Sequence, residues 1–166
     1  MKSNIFETTY AKVQALHKAY QAADDAGKTA IRDSYNALMK EIEALGAAAC
    51  RIWRDYEISR DCGNEYLDIN DVVWDKDVES LVFCMREHAI EKFTFSSSWS
   101  SAVETAWLFQ KAGCKLEGLV EINSQHKAIM SDRGIYEILP EILELWGSNL
   151  VTDVASKKNS SAAAVK

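Results

Sequence analysis

The sequence predicts an α+β fold in which an N-terminal antiparallel helical hairpin packs on a small sheet built around a strand–helix–strand unit. In the first 62 residues, apolar side chains recur at the helical steps of three and four. Two later segments alternate apolar and polar residues as strands do, and the chain contains only one proline. With 166 residues, 48% hydrophobic and 27% charged, the chain has the balance of a globular domain.

We expect one α+β domain over residues 1–147, followed by a flexible tail rich in Ser, Ala and Lys over 148–166. Within that domain, residues 1–62 form the helical hairpin and 63–77 form an acidic loop. Residues 78–147 form the α/β part of the domain.

The hairpin is predicted from two apolar stripes. The first covers residues 6–20, and Gly27 is expected to end that helix by adopting a positive φ. The second runs over residues 31–56 with an average period of 3.5, the spacing of a coiled-coil seam. Gly46, which three alanines follow, leaves a narrow waist where another element can approach closely.

The α/β part begins with a helix from Val78, for which Asp75 or Asp77 is a suitable N-cap. A short strand at residues 93–96 follows, then a helix that Gly113 ends, and then an alternating strand at 116–122. If the two strands are parallel neighbours, their crossover is right-handed.

The last part of the domain leaves alternatives open. Residues 127–130 are a hairpin partner for the preceding strand, and 135–139 are either strand or helix. Pro140 suits the first position of a final helix that Gly147 ends.

The negative charge of the chain is concentrated in one stretch. The net charge is −6, and residues 63–91 alone hold two basic and eight acidic side chains. This composition argues against nucleic-acid binding by the acidic loop, because phosphate contacts need Lys and Arg. Three interpretations remain: a solvated loop that caps a helix, a docking surface for a basic protein partner, or a divalent-metal site without the spacing of an EF-hand. The residues of the predicted docking surface are Glu65, Asp68, Asp71, Trp74, Asp75 and Asp77, with Trp74 as the apolar anchor.

A second candidate site is the serine-rich turn between the strand at 93–96 and the next helix. A helix N-terminus offers free N–H groups and partial positive charge to an anion, and serine hydroxyls add donors. Serines are also common caps and turn residues without any ligand, so plain capping is the alternative. The candidate ligand-binding residues are Ser96, Ser97, Ser98, Ser100 and Ser101.

Catalytic and metal-binding motifs are weak in this sequence. It has no G-x-S-x-G elbow, no Gly-rich phosphate loop and only three histidines. Cys84 and His88 lie four residues apart on a predicted helix, but two ligands do not make a metal site. We therefore lean towards a non-enzymatic protein with no cofactor and no metal.

The cellular compartment is inferred from two features that the sequence lacks, a membrane span and a signal stretch. No apolar run approaches the ~20 residues of a membrane span, and the N-terminus has no apolar signal stretch. The four cysteines are irregularly spaced, which is typical of reduced thiols. A cytoplasmic protein is expected.

Two segments resemble a family of small bacterial proteins encoded on phages, integrative elements and plasmids. They are AYQAADDAGKTAIRDSYNALMKEIEALG at residues 19–46 and KFTFSSSWSSAVETAWLFQKAGCKLEGLVEINS at residues 92–124. The resemblance extends over about residues 4–133. The family has no established activity, so the resemblance supplies no catalytic residues. Small acidic proteins of mobile elements are often counter-defence factors, such as anti-CRISPR or anti-restriction proteins.

Together these observations predict a protein-binding, counter-defence inhibitor that docks through its acidic surface on a basic, nucleic-acid-handling partner. The alternative is a small α/β protein that binds or processes a phosphorylated ligand at the serine-rich turn. Homodimerisation through the seam of period 3.5 is a further possibility.

Overall fold

The computed structural model describes residues 2–70, 72–96 and 102–139, and it confirms the α+β class. The helices and strands follow one another as α1 (Ile5–Ala22), α2 (Asp25–Glu43), α3 (Ala47–Asp61), β1 (Leu67–Ile69), α4 (Val78–Glu87), β2 (Lys92–Ser96), α5 (Ala102–Lys111), β3 (Cys114–Asn123) and β4 (Ile129–Ile138). A short 3₁₀ helix at Asp75–Asp77 leads into α4.

The first two helices are adjacent, but Gly27 does not end α1. Helix α1 ends at Ala22, and the carboxylate of Asp24 accepts a hydrogen bond from the Gly27 N–H at 2.8 Å. The segment around Gly27 is therefore the N-terminal cap of α2, because an Asp side chain satisfies a free N–H in the first helical turn. Asn4 caps α1 in the same way, through the N–H of Glu7.

The single long helix predicted over residues 31–56 is wrong. It is two helices, α2 and α3, because the chain turns at Gly46 with φ +104° and ψ 179°. That conformation is essentially confined to glycine. The apolar period continues across the turn, so periodicity alone does not reveal the break.

Replacing Gly46 with alanine is expected to cost on the order of 1–3 kcal/mol of unfolding free energy, because Ala at this φ is strained. A Cβ added to Gly46 would meet no atom within 4 Å, so the cost is conformational and not steric. Urea denaturation of Gly46→Ala measures it. Asp33→Ala, at an exposed position of α2, serves as the control and should stay within about 0.5 kcal/mol of the wild type. Equal stability of Gly46→Ala and the control would contradict the strained conformation.

The four strands form one mixed sheet in the order β1-β2-β4-β3. β1 pairs with β2 in parallel, whereas β4 lies antiparallel between β2 and β3. The two strands of the predicted strand–helix–strand unit are therefore not neighbours. Residues 135–138 are strand, and the predicted hairpin partner of β3 is the beginning of β4.

The stretch predicted as an acidic loop contains an unpredicted strand, β1. It is only three residues long, and all three are buried. Helix α3 lies beside its outer edge, where the Ser59 hydroxyl accepts the backbone N–H of Asp68 at 2.9 Å. The same hydroxyl donates to the Asp55 carbonyl at 2.6 Å, so a helix side chain covers the edge of the sheet.

Alternation along β2 separates the two faces of the sheet. Phe93 and Phe95 pack against Phe109 of α5, with ring centroids 5.0 and 5.4 Å away. Thr94 lies on the opposite face and is fully buried. The apolar core extends from Phe6 of α1 to Ile138 of β4, so the described helices and strands share one core.

The predicted last helix and the predicted tail lie outside the described residues, as do Asp71 and residues 97–101. Within the described ranges, no helix combines the length and apolar character that a membrane crossing requires.

Candidate functional site

Trp74 is the most conspicuous side chain of the predicted docking surface. It is 64% exposed and forms one wall of a hollow of about 550 Å³. Cys50, Arg51 and Arg54 of α3 line the same hollow, together with Val72. Trp and Arg are the residue types most enriched at the energetic centres of protein interfaces.

The backbone on both sides of Trp74 is anchored. Arg51 donates a hydrogen bond to the carbonyl of Val72 at 2.8 Å, and the side chains of Val73 and Val78 are buried. The Trp74 carbonyl accepts the N–H of Asp77 at 2.8 Å. An exposed indole on a fixed backbone loses little conformational entropy when a partner covers it.

A buried carboxylate holds the arginines of this hollow in place. Asp55 is 2% exposed and forms ion pairs with Arg51 at 3.7 Å and Arg54 at 3.5 Å. Burial is the main cause that raises the pKa of Asp55, and the two guanidinium groups oppose that rise. All three residues belong to α3, and it is the Arg51 hydrogen bond to the Val72 carbonyl that ties this helix to the segment presenting Trp74.

The predicted acidic residues do not form one continuous surface. Asp75 is exposed and Asp77 is half-buried, and both directly precede α4. Glu65 is exposed at the other end of α4. It lines a hollow together with Lys92 and the residues that connect α4 to β2. Helix α4 has ten residues, so its two ends, and with them the two groups of acidic residues, lie about 15 Å apart.

The prediction that Asp68 points outward is wrong. Asp68 is 5% exposed, because it belongs to β1 and its side chain lies on the same buried face of the sheet as Thr94. Its carboxylate accepts the Thr94 hydroxyl at 2.7 Å and lies 3.3 Å from Nε of Arg133. The molecule's own threonine and arginine therefore occupy this carboxylate.

Arg133, the partner of Asp68, is itself 5% exposed and also lies 3.8 Å from Asp132. Burial has the largest effect on the pKa of Asp68 and raises it, whereas the Thr94 hydrogen bond and the charge of Arg133 lower this pKa. The pair borders a cleft of about 320 Å³ between the end of α3 and the β3–β4 hairpin, whose lining includes Cys62 and His126.

The serine-rich turn is described only at its first residue. Ser96 ends β2 and pairs in register with Arg133 of β4. The other four candidate serines, Ser97, Ser98, Ser100 and Ser101, lie outside the described residues. Anion binding at this turn therefore stays a prediction.

Metal-binding clusters are absent from the described ranges: no three His, Cys, Asp or Glu side chains come together there. Cys84 is buried, and burial raises the pKa of its thiol to about 11, which disfavours the thiolate that binds metals. The ring of His88 packs edge-on against Phe6, with centroids 5.5 Å apart.

Three arginines that decide the local electrostatics were not predicted from the sequence. Arg51 and Arg54 lie close in sequence to their partner Asp55 on α3, but the burial of that carboxylate gives no sequence signal. Arg133 pairs with Asp68, which lies far away in the sequence on another strand. Thr94 was also missed, although it does carry a signal: the alternation of residues 93–96 places it opposite the two phenylalanines.

The geometry defines a class of protein: a small α+β domain with an anchored, exposed tryptophan and a buried ion pair beneath its sheet. A family model described as "Domain of unknown function (DUF7698)" matches residues 51–140, which is 90 of the 166 residues. The chain belongs to this family. The matched range runs from within α3 to just beyond β4 and includes both Trp74 and the Asp68–Arg133 pair. No curated protein and no solved structure matches the chain.

Proposed function

We propose that the protein is a non-enzymatic protein-binding factor that docks through Trp74. The observation that carries this proposal is the 64% exposure of an indole whose flanking residues are buried or hydrogen-bonded. Exposed apolar side chains on a fixed backbone mark interaction sites. Trp at the centre of an interface contributes about 2 kcal/mol or more when its pocket excludes water.

The charged neighbours of Trp74 suggest how a partner is oriented. Asp75 and Lys76 directly follow Trp74 in the chain and are exposed, and Arg51 and Arg54 line the hollow that the indole borders. Contacts at an interface rim change the rate of association more than the affinity. For the charged residues around Trp74, we still predict that a basic patch on the partner meets Asp75 and Asp77.

The biological setting rests on the resemblance to proteins of mobile elements. A counter-defence role, in which the partner is a nucleic-acid-handling defence protein, is part of the proposal. The separation of Glu65 from Asp75 argues against mimicry of a long DNA strip, so apolar contact at Trp74 has to supply most of the affinity.

Replacing Trp74 with alanine is expected to abolish capture of the partner, with a loss of affinity of about 30-fold or more, because the central apolar contact is removed. Immobilised wild type, Trp74→Ala and Trp107→Ala are compared for the proteins they retain from a host lysate. Trp107 is the matched control, because it is a tryptophan with a similar exposure of 57% that lies on α5, outside the hollow beside Trp74. The proposal requires a protein that wild type and Trp107→Ala retain and Trp74→Ala does not. Identical retention by all three would refute it.

A further inference from the structure

A second surface with the character of a binding groove lies at the N-terminal end of α3. The groove has a volume of about 900 Å³ and runs between the α2–α3 turn, the outer face of α4 and the end of α5. It does not include Trp74 or the arginines beside it.

One wall of this groove is an aromatic side chain that the fold leaves uncovered. Phe83 is 61% exposed, although the apolar residues around it on α4, such as Val82 and Met85, are buried. Leu45, at 42% exposure, lines the groove as well. An exposed aromatic ring beside a groove provides an apolar wall against which a partner's side chains can pack and be removed from water.

Another part of the groove lining consists of residues with small side chains. These are Gly46, Ala47 and Ala48, the small residues of the narrow waist that the sequence predicts. Side chains of this size let the backbone of an approaching segment come close. The groove therefore has the shape for an element laid along α4, with its apolar side chains against Phe83.

Charge distinguishes the two ends of the groove. Arg86 of α4 and Lys111 of α5 lie at the C-terminal end of α4, and Glu79 lies at the other end, about 10 Å away along the helix. Arg86 is half-buried and donates to the Ala112 carbonyl at 3.1 Å, which fixes its guanidinium at this end. Glu87 also lines the groove, but it is bonded to Lys2 at 2.7 Å. The ammonium of Lys111 lies over the Trp107 ring at 4.3 Å, which positions it at this end.

We propose that this groove binds an amphipathic helical segment of a protein partner that carries carboxylates on one end. The apolar face of the segment packs on Phe83 and Leu45 and over the small-residue wall, as in helix-in-groove recognition. Its carboxylates face Arg86 and Lys111. This surface is independent of the Trp74 surface.

The test is selection of displayed random 16-residue peptides on the immobilised full chain, followed by affinity measurements with the enriched peptides. Enriched sequences are expected to combine an excess of Asp and Glu with apolar residues at helical spacing. Phe83→Ser and Lys111→Glu should each weaken binding about ten-fold or more, because the first removes the main apolar contact and the second replaces the cation that faces the partner's carboxylates with a like charge. Leu119→Ser is the matched control, an 80% exposed apolar residue on β3, and should bind as wild type does. Circular dichroism checks that every variant is folded.

Four results would overturn the inference. The first is that no peptide is enriched, and the second is that the enriched peptides carry an excess of Lys and Arg. The third is that the enriched peptides bind Phe83→Ser as tightly as they bind wild type. If Trp74→Ala then abolishes their binding, the peptides bind the Trp74 surface and not the groove. The fourth is self-association of the full chain in sedimentation that Phe83→Ser removes, which assigns the groove to a second copy of the chain.

Discussion

Replacing Asp68 with alanine is expected to lower the free energy of unfolding by about 3–5 kcal/mol, the cost of removing one partner from a buried ion pair. The variant leaves the 5% exposed guanidinium of Arg133 without its closest carboxylate, and it removes the acceptor of the Thr94 hydroxyl. The loss is in stability and not in docking, because the side chain does not reach the surface. Urea denaturation of the variant measures it.

The control is Asp75→Ala, which removes an exposed acid from the same stretch and should change stability by no more than about 0.5 kcal/mol. If both variants are equally stable, Asp68 is not a buried partner of Arg133. If Asp68→Ala is as stable as wild type but loses the captured protein, Asp68 faces outward and belongs to the docking surface.

The pH dependence of the same residue has a defined sign. Burial raises the pKa of Asp68 in the folded state above its ordinary value of 3.8, so the folded protein holds this proton more tightly than the unfolded chain does. Between the two pKa values stability falls as pH rises, and above the folded value it no longer changes. The stability of wild type relative to Asp68→Asn should therefore decrease as the pH rises from about 4 and then level off. A relative stability that rises with pH would contradict the raised pKa.

Replacing Phe109 with alanine is expected to cost about 3–5 kcal/mol of unfolding free energy, because a fully buried aromatic ring is removed from a packed core. Phe109 is the contact by which α5 holds the sheet: its ring lies 5.0 Å from Phe93, 5.4 Å from Phe95 and 5.6 Å from Tyr136. The cavity borders on three rings from two strands, so the surrounding side chains cannot close it without moving the sheet.

Thermal or urea denaturation of Phe109→Ala tests this expectation against Trp107→Ala. Trp107 lies two residues away on the same helix and is 57% exposed, so its truncation should cost about 0.5 kcal/mol or less. A Phe109→Ala protein with wild-type stability would show that α5 does not hold the sheet through this ring. Equal losses for both variants would indicate that α5 is destabilised through helix propensity and not through the core.

The candidate sites illustrate which features a sequence reveals. The sequence indicates Trp74 as a candidate anchor because it stands in a charged stretch, with packing against the neighbouring helices as the alternative, and the structure shows the side chain 64% exposed. The burial of Asp68 was not predictable in the same way, since a strand of three residues leaves almost no alternation to detect. The charge cluster was therefore interpreted as one surface, although β1 and α4 divide it.

Local signals determined the α+β class, helix α4, strand β2, the C-terminal end of α5 and the central part of β3, because hydrophobic period, caps and glycines act over a few residues. Only the tertiary structure decided the break at Gly46, the insertion of β4 between β2 and β3, and the pairing of Asp68 with Arg133. The strand order and the ion pair depend on residues far apart in the chain meeting in space, whereas the turn at Gly46 is local and is hidden by an apolar period that continues across it. The free energy that selects such contacts comes from burial and charge compensation between elements, and no single segment of sequence contains it.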